Sequence, residues 1–312
     1  MRIIFFGTGD LAVPSLKKIA SSGHEIAAVI TQPDKKKGRG WGVHPSQVKA
    51  LAEKILPGID VFQPEKASEK KFIDQIKEAS ADVFVVVDYG QILSKELLDV
   101  AGKYAVNLHP SLLPKYRGAS PINQVILNGD TETGNTIIRI TEKMDAGDII
   151  LQEKIIIDNT EDAVTLSNKL SLSGADLMTT ALDGIGSGQE NFIKQDESHA
   201  SYAPKITKEQ GEIDWTRSAA EIDRKIRGLR PWPGTFSYIS GRRLKIIEAS
   251  VIKNGVNEHA PGTVCIDSGI KISSGKGVLL IKKLQLEGKK PMITEEFIKG
   301  YQFKNGEILG KK

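Results

Sequence analysis

The feature that most constrains this chain is an alternation, through its first half, of short apolar runs and segments of helical periodicity. Residues 2–6, 25–30, 83–87 and 104–108 are short and apolar enough to be buried strands, with a shorter run near Val61 and Phe62. Between them Leu11, Leu16 and Ile19 recur at helical spacing, then Val48, Leu51, Ala52 and Ile55, then Phe72, Ile73 and Ile76. Strands separated by single helices imply a parallel sheet covered on both faces. Two longer strands over 134–140 and 149–157, and a helix from about 162 to 182, close an α/β domain spanning 1–188.

Residues 189–206 are polar and read as a linker. The pattern then changes. Ser218 and Glu221 form a capping-box signature ahead of Ile222, Ile226 and Leu229. Five short strands with glycine-rich turns follow, at 235–239, 244–251, 262–266, 269–273 and 278–286. They suggest a small β-barrel over 207–312. The 312 residues suit two such domains. The net charge of +4 is uneven, because residues 207–312 carry 20 Lys plus Arg against 12 Asp plus Glu. A basic C-terminal third on a mildly acidic body suggests a polyanionic partner. The single cysteine, Cys265, excludes an intramolecular disulfide and reads as a core filler in an apolar run. The first apolar run is too short for a signal peptide, and no run is long enough to span a membrane, so we expect a cytoplasmic protein. Separately, a monomer is expected.

Two glycine-bearing segments bear on chemistry. Gly7-Thr8-Gly9-Asp10-Leu11-Ala12 fits the dinucleotide fingerprint G-x-G-x-x-A. That fingerprint also needs an acidic side chain closing the second strand. Here the strand ends in Thr31-Gln32-Pro33, and Asp34 comes late, so the segment reads as a tight strand-to-helix turn. The fifth strand runs into Asn107-Leu108-His109-Pro110. Two residues apart on a strand, Asn107 and His109 share a face, at the carboxyl end where open α/β sheets bind ligands. A second strand leads into the turn Met144-Asp145-Ala146-Gly147, which suits Asp145 for reaching a histidine. An amide that can stabilise an oxyanion, an imidazole that can donate or move protons, and a carboxylate that can fix its tautomer suit acyl transfer to an amine. No Cys/His cluster has metal-ligand spacing, and no metal is expected.

Residues 107–121 (NLHPSLLPKYRGASP) and 134–150 (GNTIIRITEKMDAGDII) resemble the two hallmark motifs of the folate-dependent formyltransferase family. Residues 31–39 (TQPDKKKGR), Phe62-Gln63-Pro64-Glu65, the run YAPKITKE from Tyr202, Ile213-Asp214-Trp215 and Pro231-Trp232-Pro233-Gly234 extend the likeness over nearly the whole length. The resemblance implies a Rossmann-like, mostly parallel N-terminal domain joined to an OB-like barrel. It implies 10-formyltetrahydrofolate as formyl donor and the α-amino group of methionyl initiator tRNA as acceptor, in support of translation initiation. Asn107, His109 and Asp145 match the family's catalytic trio, and Ser111, Leu112, Leu113 and Pro114 its folate-contacting segment. Backbone around Val87, Asp88, Tyr89 and Gly90 would help hold the pterin. Three departures touch the folate pocket: Asp88 stands where the family usually has a small residue, Gly9 where proline is common, and Arg139-Ile140 replaces a more usual Gln-Met pair.

Within this chemistry the acceptor could instead be a sugar nucleotide, or water. The basic loop Lys35-Lys36-Lys37-Gly38-Arg39 and the charge of residues 207–312 favour tRNA. Lys35, Lys36, Lys37 and Arg39 are therefore the expected tRNA contacts near the acceptor end, in a loop with little apolar content besides Trp41. Outside this chemistry, a nicotinamide-dependent dehydrogenase would use the Gly7/Gly9 turn. A non-catalytic RNA-binding module would not need the trio.

Overall fold

A computed structural model describes residues 1–37, 42–253, 255, 259–267, 269–301 and 303–310. In chain order the first elements are β1 (Arg2–Gly7), α1 (Ala12–Ala20), β2 (Glu25–Ile30), β3 (Lys35–Lys37), β4 (Gly42–His44), α2 (Gln47–Ile55), β5 (Asp60–Phe62) and α3 (Lys70–Glu78). Next come β6 (Val83–Val87), α4 (Lys95–Leu98), β7 (Tyr104–His109), α5 (Pro121–Asn128), β8 (Glu132–Arg139), β9 (Ile149–Ile156) and α6 (Ala163–Ser187).

Seven of these strands form one sheet in the order β5-β2-β1-β6-β7-β8-β9. The first five run parallel, and β8 and β9 add antiparallel. β1 and β6 are apolar on both faces, and all but Arg2 of their residues up to Phe6 and Val87 are buried, as a central strand covered by helices requires. On one side Ile4, Phe6, Phe84 and Val86 pack against Phe72, Ile73 and Ile76 of α3. Strand order reverses between β1 and β6, so the crevice beyond their carboxyl ends is the switch point where such sheets take ligands.

The remaining elements are α7 (Ala219–Gly228), β10 (Thr235–Ile239), β11 (Arg242–Val251), β12 (Val264–Ile266), β13 (Ile270–Ser273), β14 (Val278–Leu286), β15 (Met292–Ile293) and α8 (Thr294–Gly300). The strands make an antiparallel sheet, β10-β11-β14-β13-β12, with β15 beside β14. The capping box is present at α7: Ser218 and Glu221 satisfy each other's backbone N–H groups, and Ile222 and Ile226 turn into a core with Ile239, Leu244, Ile246 and Leu284. Cys265 is half-buried rather than central, because alternation on β12 sends Val264 inward and Cys265 to the other face.

The chain divides into two compact units, and the division does not follow sequence order. The first holds residues 1–121, 132–157 and 167–203; the second holds 122–131, 158–166 and 204–312. Within the second unit Asn123 donates to the Gly228 carbonyl at 2.7 Å, and Arg230 meets Asp162 at 2.7 Å. The segment expected to be a linker is well bonded up to Ala203. Ile149 and Ile193 exchange two backbone hydrogen bonds, and Arg117 does so with Ser201 and Ala203. Of its polar side chains, Gln195, Glu197 and Ser201 reach partners elsewhere in the first unit.

Candidate active site

Asn107 and His109 lie on one face of β7, at its carboxyl end, beside β6 and β8. His109 is buried. Its Nε2 lies 2.9 Å from the Tyr116 carbonyl oxygen, which can only accept, so Nε2 carries the proton and Nδ1 is the free nitrogen. Nδ1 faces Asp145 Oδ2 at 3.7 Å, close enough for charge to act and too long for a hydrogen bond. The Tyr116 carbonyl therefore sets the tautomer, a task the sequence suggests for Asp145. Burial pushes the imidazole below its ordinary 6.5, against the upward pull of the Asp145 charge and the Tyr116 carbonyl. The Asn107 side chain is half-exposed and has no hydrogen-bond partner among the described residues.

Asp145 sits in a left-handed turn with φ +49°. Gly118 N–H donates to its Oδ2 at 2.8 Å. Two residues on, Gly147 is required sterically: a Cβ there would lie 1.7 Å from the Arg139 carbonyl oxygen. The turn is held from outside by Gln195, whose Nε2 donates to the Asp145 and Gly147 carbonyls at 2.8 and 2.7 Å. Gln195 is in turn gripped by Arg117, a side chain only 1% exposed, whose guanidinium reaches Gln195 Oε1 at 2.7 and 3.1 Å and Glu197 at 2.9 and 3.1 Å. Hydrophobic patterning gives no sign of this group. The arginine inside the motif NLHPSLLPKYRGASP is its only signal in the sequence.

The expected folate segment adjoins this centre, and much of it is structural. Ser111 and Leu113 are buried, and the Ser111 hydroxyl donates to the Lys115 carbonyl at 2.7 Å. Thr136 on β8 donates to the Ser111 carbonyl at 2.6 Å, and Gln152 on β9 donates to the Leu113 carbonyl at 3.0 Å. Leu112 and Pro114 are half-open. In the second expected segment Val87 and Tyr89 are buried, and burial pushes the Tyr89 phenol up to about 12. The Tyr89 carbonyl accepts from Thr8 Oγ1 at 2.9 Å and Gln32 Nε2 at 3.3 Å, which ties the loops after β1, β2 and β6 together.

Asp88 and Gly9, two of the three departures, are coupled. A Cβ on residue 9 would lie 2.0 Å from Asp88 Oδ2, so the space a side chain would fill holds a carboxylate. Asp88 takes φ +47°, a conformation Asp tolerates better than most residues. Desolvation, with the nearby Asp10 charge, pushes its carboxyl up to about 6. A carboxylate where a pyrophosphate would have to approach argues against the dinucleotide fingerprint. Asp34, the late acidic residue, is already bonded to Lys49 at 2.9 Å and Gln63 at 2.6 Å.

Beyond β2, which ends on the same sheet edge as β7, the backbone of Lys35–Lys37 pairs antiparallel with Gly42–His44. Where the sequence reads as an open loop, the base of this excursion is a short hairpin. Lys35 is exposed. Arg39, with Gly38, Gly40 and Trp41, lies outside the described residues. In the second unit Lys282, Lys289 and Lys290 are exposed and Lys283 is half-buried.

Known proteins share this chain's sequence and fold. Residues 1–182 match the formyl transferase family, and residues 205–302 match the formyl transferase C-terminal domain. The chain is 41% identical over 317 residues to the methionyl-tRNA formyltransferase of Lachnospira eligens, covering the whole of both. It is 42% identical over 313 residues to that of Bacillus velezensis, covering 99% of this chain and 98% of the relative. Its fold is shared by the N-formyltransferase of Helicobacter canadensis, solved with folinic acid and dTDP-3-aminofucose, at a TM-score of 0.66 and 21% identity over 89% of this chain and 97% of that one. With both halves matched and curated relatives aligned from end to end, the chain belongs to the formyl transferase family.

Proposed function

We propose that this formyltransferase moves a formyl group from 10-formyltetrahydrofolate to the α-amino group of methionyl initiator tRNA, with Asn107, His109 and Asp145 as its reacting centre. The observation that carries the chemistry is the free Nδ1 of His109 facing Asp145, beside an Asn107 amide with no partner among the described residues. The acceptor rests on the end-to-end likeness to the methionyl-tRNA formyltransferases named above and on the surplus of Lys and Arg in residues 207–312.

The amine attacks the formyl carbon, and a nitrogen–carbon bond forms as the carbonyl becomes an oxyanion. The Asn107 amide donates a hydrogen bond to that oxygen. His109 Nδ1 is the nitrogen available to take the proton the amine must shed, and Asp145 stabilises the imidazolium so formed. The proton then passes to the folate nitrogen as its bond to the formyl carbon breaks, leaving tetrahydrofolate. Low basicity from burial suits His109 to a proton it must give up again. Folate would lie against the loops at 111–114 and 87–90, with Lys35, Lys36, Lys37 and Arg39 near the acceptor end of the tRNA.

The test is formylation of methionyl-tRNA by purified His109→Ala and Asn107→Ala. We expect His109→Ala to lose turnover by roughly two orders of magnitude or more with tRNA affinity little changed. Loss of one oxyanion donor in Asn107→Ala should add about 3–4 kcal/mol to the barrier. Near-normal turnover in either variant removes that residue from the centre.

A further inference from the structure

We propose that Gln195, clamped by Arg117, is a positioning residue for catalysis: it holds the Asp145 turn so that the carboxylate stays opposite His109 Nδ1. This rests on the reading of His109 and Asp145 given above. The residue comes from a stretch between the two family matches, which end at 182 and resume at 205.

Each link is a short contact. Asp145 is in a left-handed conformation at φ +49°, which is strained for a non-glycine residue and persists only where surroundings enforce it. The Gln195 carboxamide bonds both carbonyls flanking the turn, Asp145 and Gly147, at 2.8 and 2.7 Å. Its own oxygen is fixed by two Arg117 donors, which orients the amide so that its N–H groups must face the turn. Arg117 is buried at 1% exposure, and its guanidinium also bonds Glu197 and Tyr202; Glu197 in turn meets Lys143 at 3.3 Å on the turn's approach. The guanidinium holds the Glu197 carboxyl down to about 2, so this partner stays charged through any working pH.

The same stretch fixes the other side of the imidazole. Ser201 Oγ accepts from Tyr116 N–H at 2.9 Å, and Tyr116 supplies the carbonyl that binds His109 Nε2. Arg117 N–H and C=O bond Ser201 and Ala203 at 2.9 and 2.7 Å. Both neighbours of His109, the carbonyl behind it and the carboxylate before it, are thus located by one strap. An Asp145 carboxylate 3.7 Å from Nδ1, with no direct hydrogen bond between them, depends on its turn for position. A shift of about 1 Å in a reacting centre can cost 100-fold in rate.

The test is a double-mutant cycle between Gln195→Glu and Asp145→Asn in the full chain. Gln195→Glu keeps an acceptor for Arg117 and removes both hydrogens donated to the turn. Gln195→Met removes them without adding charge and stands in if the glutamate variant fails to fold. We expect either variant to lower kcat about tenfold or more, with KM for donor and acceptor changed less than about threefold and melting temperature near that of the wild type. The His109 titration, followed by imidazole NMR, should fall below the wild-type value as the carboxylate moves off. In the Asp145→Asn background the same substitution should add little. Wild-type kcat and His109 titration in a folded Gln195 variant, or full additivity with Asp145→Asn, overturns the inference. An Asp145→Asn enzyme as active as wild type overturns instead the reading beneath it.

Discussion

At the scale of single residues the site is governed by what each buried group is denied. His109 cannot lose its Nε2 proton to the Tyr116 carbonyl, and burial disfavours its charged form. Its folded pKa lies below the ordinary 6.5, so above that pH both folded and unfolded chains hold it neutral and it contributes nothing to pH dependence. As pH falls through 6.5 the unfolded chain takes up the proton first, and stability drops until the folded pKa is reached. We therefore predict that the stability gap between wild type and His109→Gln is constant above about pH 6.5 and closes in the variant's favour below it, as read by chemical denaturation at each pH. Asp145 raises the imidazole pKa, so Asp145→Asn should move the NMR titration of His109 further below 6.5 and cut activity strongly. An unmoved titration would make Asp145 only a turn residue. The Asp88–Gly9 pair gives a second forecast. Gly9→Ala should displace the Asp88 carboxylate and change donor KM with Asp88 present, and be nearly neutral in Asp88→Ala, because the contact is with that side chain alone. Equal effects in both backgrounds, measured by melting temperature and donor KM, would refute the coupling.

At the scale of elements, two antiparallel strands hold a loop in place. Thr136 on β8 and Gln152 on β9 bond each other at 2.9 Å and together hold the carbonyls of Ser111 and Leu113. Such a bond is worth about 0.5–1.5 kcal/mol net, so Gln152→Leu should raise the donor KM by roughly two- to tenfold and leave the acceptor KM in place. An unchanged donor KM would separate this loop from folate. Elements are also where the sequence is most and least legible. The parallel strands can be read because burial on both faces leaves continuous apolar runs such as FVVV in β6. The capping box at Ser218 can be read because its partners are three residues apart. Asn107 and His109 stand out through strand spacing, and Asp145 through its motif. Arg117 and Gln195 lie 78 residues apart, and nothing in local pattern links them. The stretch around Gln195 looks like a linker because its partners are hydrogen bonds, to which hydrophobic periodicity is blind. Helix α5 is likewise hidden, a short apolar stretch starting at Pro121.

At the scale of the whole molecule the chain combines a site at the carboxyl end of β7 with a basic antiparallel unit, and the two should fail differently. Charge removal at Lys282, Lys283, Lys289 and Lys290 should weaken binding of all tRNAs and flatten its salt dependence by about one unit of slope for each phosphate no longer neutralised. His109→Ala should leave that slope alone. Affinity measured against salt concentration distinguishes them, and a wild-type slope in the lysine variant would place the RNA elsewhere.

The central claim is the acceptor, and one competition tests it most directly. Purified protein is given 10-formyltetrahydrofolate with either methionyl initiator tRNA or a UDP-amino-sugar, and kcat/KM is measured for each. The account predicts efficient formylation of the aminoacyl-tRNA, abolished by His109→Ala, and little or none of the sugar. Preference for the sugar nucleotide, or release of formate without transfer to either amine, would contradict it.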